Sequence, residues 1–402
     1  MEELELVVSM GLALAVALLG GVVARRLGQS VILGYLVAGI AIGPFGLGLV
    51  SDLEHVQALA TIGVILLLFT IGLQFSLGEF RRIGKVAVFG GTIQILATVG
   101  LGVIIARLLG RSLPEAIGFG FIISISSTVI VLKLLMERGE LDSLHGRIMV
   151  GFLVVQDLAV VPMMVFLPVL GEPGNVLPAL GIAALKAGVF LGATLLVGIW
   201  VIPRLMGFIA GIRSKELFLL FVITLCLGVA YAAYLFGLSP TIGAFIAGLI
   251  ISQSGFVHQA MGDVTPLRDI FATLFFVSIG MLIDPRFVVE NLPTVAIVVL
   301  TIVLGKFIIF TVITRLFGYS IKTALFVGMG MIQISEFSFI LASVGAEAGV
   351  ISEHLYSLVL ASAIITMVLT PFALSLASAL YPRLSRVRGI RRLVAGHIEP
   401  DL

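Results

Sequence analysis

Charge is scarce in this chain of 402 residues. Asp, Glu, Lys and Arg together make up 11% of it, against about a quarter in a soluble globular domain. So little charge cannot cover a water-facing surface of this size. Cysteine is scarcer still: Cys226 stands alone, which excludes a disulfide framework within the chain. His55, His145, His258, His354 and His397 are scattered, with no metal-ligand spacing. Glycine-rich stretches such as Gly118-Phe119-Gly120 lie inside apolar runs, where they suit packing better than a phosphate cradle. The start, Met1-Glu2-Glu3-Leu4-Glu5, is acidic, unlike a cleavable signal peptide, so the first apolar stretch is expected to be retained. The alternating pattern of a membrane barrel is also missing.

Apolar residues fill the space that charge leaves. They make up 60% of the chain, and the mean hydropathy is +1.24. Stretches of about 20 apolar residues recur, each long enough to cross roughly 30 Å of hydrocarbon as a helix. In lipid the backbone must satisfy itself, which favours helices. About thirteen spans are expected: 4–24, 31–50, 56–77, 86–109, 113–135, 148–170, 177–202, 217–236, 241–252, 267–283, 292–317, 321–345 and 354–381. The fold class is therefore an all-α polytopic membrane protein.

The basic residues give an orientation. With the N-terminus outside, the inner segments collect most of the 24 Lys and Arg. Among them are Arg81, Arg82, Lys85, Arg204, Arg213, Lys215, and Arg383, Arg386, Arg388, Arg391 and Arg392 of the tail. Only Arg107, Arg111 and Arg286 fall outside. Cytoplasmic loops are the Lys/Arg-rich ones, so an odd number of spans with a cytoplasmic C-terminus is expected. The basic tail, 383–402, could lie on anionic lipid or begin a linker to a further domain. The lack of targeting signals suits a prokaryotic inner membrane.

Ionisable groups deep in a span are costly and usually functional. Three stand out: Asp157 in the sixth span, Lys306 midway along the eleventh, and Glu336 midway along the twelfth. A lysine pinned to a carboxylate or a carbonyl can also simply join helices. Two spans carry helix-weakening polar clusters. The fifth has Gly118 and Gly120, then Ser124-Ile125-Ser126-Ser127-Thr128. The twelfth has Gly328 and Gly330, then Gln333, Ser335, Glu336 and Ser338. If the seventh span is a connector, these become the fifth members of two oppositely oriented six-helix halves. Interrupted helices at matching positions of inverted repeats point to a mid-membrane binding site.

These residues resemble the second family of monovalent cation:proton antiporters, in particular its Kef-type potassium:proton members. The densest match is Ser126-Ser127-Thr128-Val129-Ile130-Val131-Leu132-Lys133-Leu134-Leu135-Met136, followed by Glu137-Arg138-Gly139-Glu140-Leu141 and Gln156-Asp157-Leu158-Ala159-Val160-Val161-Pro162. Gly243-Ala244-Phe245-Ile246-Ala247-Gly248 and Phe275-Phe276-Val277-Ser278-Ile279-Gly280-Met281 continue it. The resemblance implies an inverted-repeat fold with two broken helices that cross. It implies a transmembrane domain over 1–382, with a dimerisation scaffold at 4–80 and 217–285, a moving core at 86–170 and 292–381, and a linker helix at 177–202. It implies that Asp157 binds cation and proton alternately and that Lys306 faces that site. Kef proteins also carry a nucleotide-binding regulatory domain after the last helix.

Electrogenic relatives have two adjacent aspartates where this chain has Gln156-Asp157. Gln156 cannot exchange a proton, though its amide oxygen can meet a cation. One titrating carboxylate suggests electroneutral exchange of one cation for one proton, with potassium favoured and sodium possible. The expected oxygen ligands of the alkali cation are Asp157, Gln156, Ser126, Ser127 and Thr128, with Lys306 and Glu336 as supporting charges. Expected partners are potassium or sodium ions, protons, membrane lipid and a second copy of the chain; no cofactor and no nucleic acid is expected. Three alternatives stay open: a cation channel, a solute symporter on a related fold, and an intramembrane protease using Asp157 and Glu336 as a carboxylate pair.

Overall fold

The computed structural model describes residues 2–50, 53–74, 86–171, 176–236 and 238–384. Arg81, Arg82, Lys85 and the tail beyond residue 384 lie outside the described residues. No strand occurs among the described residues. Among the described residues, eight helical stretches are long and apolar enough to cross a membrane, and shorter apolar helices accompany them. The chain is thus an all-α polytopic membrane protein. It divides into two compact units, Met1–Arg82 with Met164–Asp284, and Ile83–Met163 with Pro285–Leu402.

The first unit contains α1 (Glu2–Arg26), α2 (Val31–Ile42) and α3 (Leu53–Gln74). It also holds the 36-residue α8 (Val176–Gly211), α9 (Lys215–Leu235), α10 (Pro240–Ser252) and α11 (Val257–Met281). Apolar side chains cannot drive these helices together in lipid, so close backbone approach must do it. Gly72 of α3 and Gly248 of α10 show how. A Cβ on Gly72 would strike the Phe245 carbonyl, and one on Gly248 would strike the Phe69 carbonyl.

Three of these helices differ from the expected spans: α2 ends at Ile42, with turns in place of helix up to residue 50, and two others run longer. The stretch 177–202 belongs to a helix that continues through Pro203 to Gly211. An internal proline removes one backbone donor, which membrane helices tolerate. One residue on, the Arg204 guanidinium donates to the Trp200 carbonyl. The stretch 267–283 begins ten residues earlier, at Val257, and runs through Pro266. The added turns are too polar to read as a span, and their Asp263 pairs with Lys215 at 3.2 Å.

The second unit opens with a π-helical turn, Val86–Gly90, which runs into α4 (Gly91–Leu108). Then come α5 (Leu113–Ser124), α6 (Thr128–Glu137) and α7 (Leu144–Val169), of which the residues from Met164 belong to the first unit. After Pro285 follow α12 (Pro285–Glu290), α13 (Leu292–Leu316), α14 (Ile321–Gly330), α15 (Phe337–Glu347) and α16 (Glu353–Leu384). Val131, Leu135, Met149, Phe152, Phe310, Val327 and Met331 form its core. Phe152 and Phe310 meet edge to face at 5.3 Å, a favoured aromatic geometry.

Both polar clusters break their helices. Ser112 caps α5, its hydroxyl accepting from Glu115 N, and Pro114 sits in the first turn. The helix stops at Ser124 because Ile125 turns extended, at φ −95° and ψ 140°. Ser127 then caps α6, its Oγ accepting from Ile130 N at 3.2 Å. Serine at such a position satisfies a donor that the helix start leaves free. In the twelfth stretch α14 ends at Gly330 and α15 starts at Phe337, whose N–H donates to Ser335 Oγ at 3.2 Å.

Candidate functional site

The two breaks lie against each other inside the second unit. Ser126 Oγ donates to Met331 O at 3.0 Å, Ser338 Oγ donates to Ile122 O at 2.6 Å, and Gln333 Nε2 donates to Ser127 O at 3.5 Å. From α16, Thr366 Oγ1 accepts from Ile334 N at 3.1 Å and Thr370 Oγ1 donates to Gln333 Oε1 at 3.3 Å. Ser126, Ser127, Gln333, Ser335 and Ser338 are all at 0% exposure.

Lys306 of α13 is equally buried. Its Nζ donates to Ile123 O and Ile125 O, both at 3.1 Å, and to Gln333 O at 2.7 Å. It makes no ion pair among the described residues. The ammonium therefore sits where α5 has ended and where the chain leaves α14, beside carbonyls those ends set free. Helix C-termini carry partial negative charge, which suits a cation.

The carboxylates occupy the opposite ends. Thr128, first residue of α6, donates from Oγ1 to Asp157 Oδ2 at 2.9 Å. Glu336 opens α15, and its carboxylate faces the Ser127 side chain and the Val129 N–H. Helix N-termini carry partial positive charge, which suits an anion. Asp157 and Glu336 are near enough for their charges to interact. Asp157 is half-buried and Glu336 only 3% exposed. Each has one carboxylate oxygen, Asp157 Oδ1 and Glu336 Oε1, that is covered yet has no hydrogen-bond partner. Two such oxygens on neighbouring acids are costly unless a proton or a cation meets them.

The expected ligands take different positions around this pair. Thr128 touches Asp157 directly. Ser127 serves the α6 cap, and Ser126 Oγ spans the two breaks. The Gln156 amide oxygen accepts from Ser126 N at 2.9 Å, and its Nε2 donates to Gln94 Oε1 at 2.7 Å. Gln94 and Thr98 of α4, with Thr366 and Thr370 of α16, are buried polar partners that the sequence reading passed over. Both pairs sit at i and i+4 on apolar helices, one face each, and that spacing is the signal that would have found them.

The family described as sodium/hydrogen exchanger, transmembrane, matches residues 14–378. The chain belongs to this family. Within it, the putative cation/proton antiporter YbaL of Escherichia coli is 41% identical over 376 residues, which is 91% of this chain and 67% of that protein. K(+) efflux antiporter 4 of Arabidopsis thaliana is 38% identical over 384 residues, covering 94% of this chain and 64% of that one. The chain thus spans about two thirds of the length of these relatives. The exchanger fold is shared with the sodium proton antiporter MjNhaP1 from Methanocaldococcus jannaschii. The TM-score is 0.73 at 19% identity, over 94% of this chain and 99% of that one.

Proposed function

We propose that the chain exchanges a monovalent cation for protons, one for one, with Asp157 as the residue that holds each in turn. The observation that carries this is the pair of covered, unpartnered carboxylate oxygens on Asp157 and Glu336 at the crossing of the breaks. A site with that deficit takes a small positive charge. Cation and proton then compete for the same oxygens, and this competition is the coupling. An occupied site is cheap to carry past an apolar barrier and an empty anion is not.

The cation's ligands in this reading are Asp157 and Thr128, with Glu336 lending charge. Ser126, Ser127 and Gln156 shape the break around them, and Lys306 joins the two breaks. Potassium is the favoured ion, supported by the K(+) efflux antiporter named above; the sodium proton antiporter with the same fold keeps sodium in view.

The site belongs wholly to one compact unit, which supports an elevator-type mechanism in which residues 86–170 and 292–381 move as a core. Residues 4–80 and 217–285 would then stand as a dimerising scaffold, with 177–202 as linker. A prokaryotic plasma membrane, an outer N-terminus, a cytoplasmic C-terminus and a nucleotide-binding regulatory domain belong to the same proposal. The distribution of Lys and Arg supports the orientation. The experiment is proton flux in proteoliposomes, read by a pH-sensitive dye under an imposed ΔpH, on addition of potassium, sodium or lithium. The parent protein dissipates ΔpH with potassium or sodium, and Asp157→Asn does not. Cation-coupled proton flux that survives in purified Asp157→Asn protein would sink the reading.

A further inference from the structure

Gln94 stands in the apolar run of α4, yet it is wholly buried and both ends of its amide are engaged. Its Nε2 donates to Ser124 O and to Thr98 Oγ1, both at 3.0 Å. Its Oε1 accepts from Gln156 Nε2 at 2.7 Å, and Gln156 Oε1 accepts from Ser126 N at 2.9 Å. A single chain of bonds therefore leaves the backbone at Ser124, passes through two amides and returns at Ser126, spanning the first helix break. Backbone groups fix its polarity at both ends, because a carbonyl only accepts and an N–H only donates. Neither amide can flip without setting donor against donor in a site where Gln94, Thr98, Ser124, Ser126 and Gln156 are all at 0% exposure.

We propose that Gln94 is a positioning residue that determines cation specificity: it holds the Gln156 amide oxygen on Ser126 and out of the ion's shell. This rests on the antiport reading of Asp157. Gln156 precedes Asp157 on α7, so a freed Gln156 side chain could swing its oxygen toward the bound ion. Alkali cations differ in size and in the number of oxygens they hold, so one more flexible oxygen alters the preference between them. Gln94 itself bonds neither Asp157 nor Thr128 and acts through Gln156 alone.

The test uses the full chain in proteoliposomes and reads KM and kcat separately for potassium and sodium. Gln94→Met keeps length and removes all three bonds. The ratio of the two KM values should move by about fivefold or more, the scale of one lost buried hydrogen bond, while kcat for potassium stays within about threefold. Gln94→Glu is the rescue. Its protonated side chain offers an O–H to Ser124 O and a carbonyl to Gln156 Nε2, as the amide does. Ionised or protonated, the carboxyl still accepts from Gln156 Nε2, so the KM ratio should stay near the parent's.

An unchanged KM ratio in Gln94→Met, or an equal loss for both cations, overturns the proposal. Should Gln94→Met fail to fold, Gln94→Ala decides in its place: a moved KM ratio supports the role, and an unmoved one removes it. A parent protein that moves neither cation brings down the antiport reading and this one together. Parent transport with flat ratios brings down only Gln94.

Discussion

The Lys306 ammonium lies on three carbonyls. An ionisable residue in the middle of a span is expected either to take part in transport or to join helices, and Lys306 sits where the second of these roles, a lysine pinned to carbonyls, would put it. Ile123, Ile125 and Gln333 belong to two different breaks, so one side chain joins both. Buried carbonyls left without a donor cost about 1–3 kcal/mol each. Lys306→Met fills nearly the same volume and donates to none of them. The purified variant should therefore melt several degrees below the parent in detergent, whatever cation is present. Thermal unfolding followed by size-exclusion fluorescence reads this directly. An unchanged melting temperature would show that something else joins the breaks.

At the scale of elements, the glycines of α3 and α10 carry the same logic into the first unit. Their Cα atoms face backbone carbonyls of the neighbouring helix, and backbone cannot move aside as a side chain can. Gly248→Leu should separate the two helices, with an overpacking cost of about 1–3 kcal/mol or more. Gly188 of α8 has open space where its Cβ would be, and Gly188→Leu should be tolerated. The yield of monodisperse protein distinguishes them; equal yields would mean that α3 and α10 do not depend on close approach. Much of this architecture was legible in the sequence, because hydropathy reports spans and Gly/Ser clusters report breaks. Ser124 to Thr128 and Gly330 to Glu336 broke where those residues weaken a helix. Helix length was less legible. One helix continues past Pro203 and another begins before Pro266, where proline and polar residues end the pattern that hydropathy follows. The site was legible in its charges and not in its wiring. Asp157, Lys306 and Glu336 announce themselves as charges in lipid, whereas Gln94 and Thr98 are neutral and gain meaning only from Ser124 and Gln156, which lie 30 and more residues away.

For the whole molecule the decisive quantity is the charge that crosses with the site. Two carboxylates and one ammonium, all ionised, leave one unit of negative charge. One alkali cation brings the sum to zero, and so does one proton. Both legs of the cycle then carry the same net charge through the membrane, and voltage has nothing to act on. A single uncompensated charge would couple to the potential by about 2.3 kcal/mol per 100 mV, roughly fiftyfold in the equilibrium. Solid-supported-membrane recording can separate the cases when a potassium jump is applied to vesicles whose proton flux is read in parallel. The expected result is proton flux with no sustained charge displacement. A sustained current of half the proton flux would mean that a second proton travels each cycle. Glu336 is the group placed to carry it, since its Oε1 is covered and unpartnered beside Asp157. Glu336→Gln should in that event abolish the current while leaving cation-driven proton flux in place, which would turn the supporting charge of the electroneutral reading into a second coupling site.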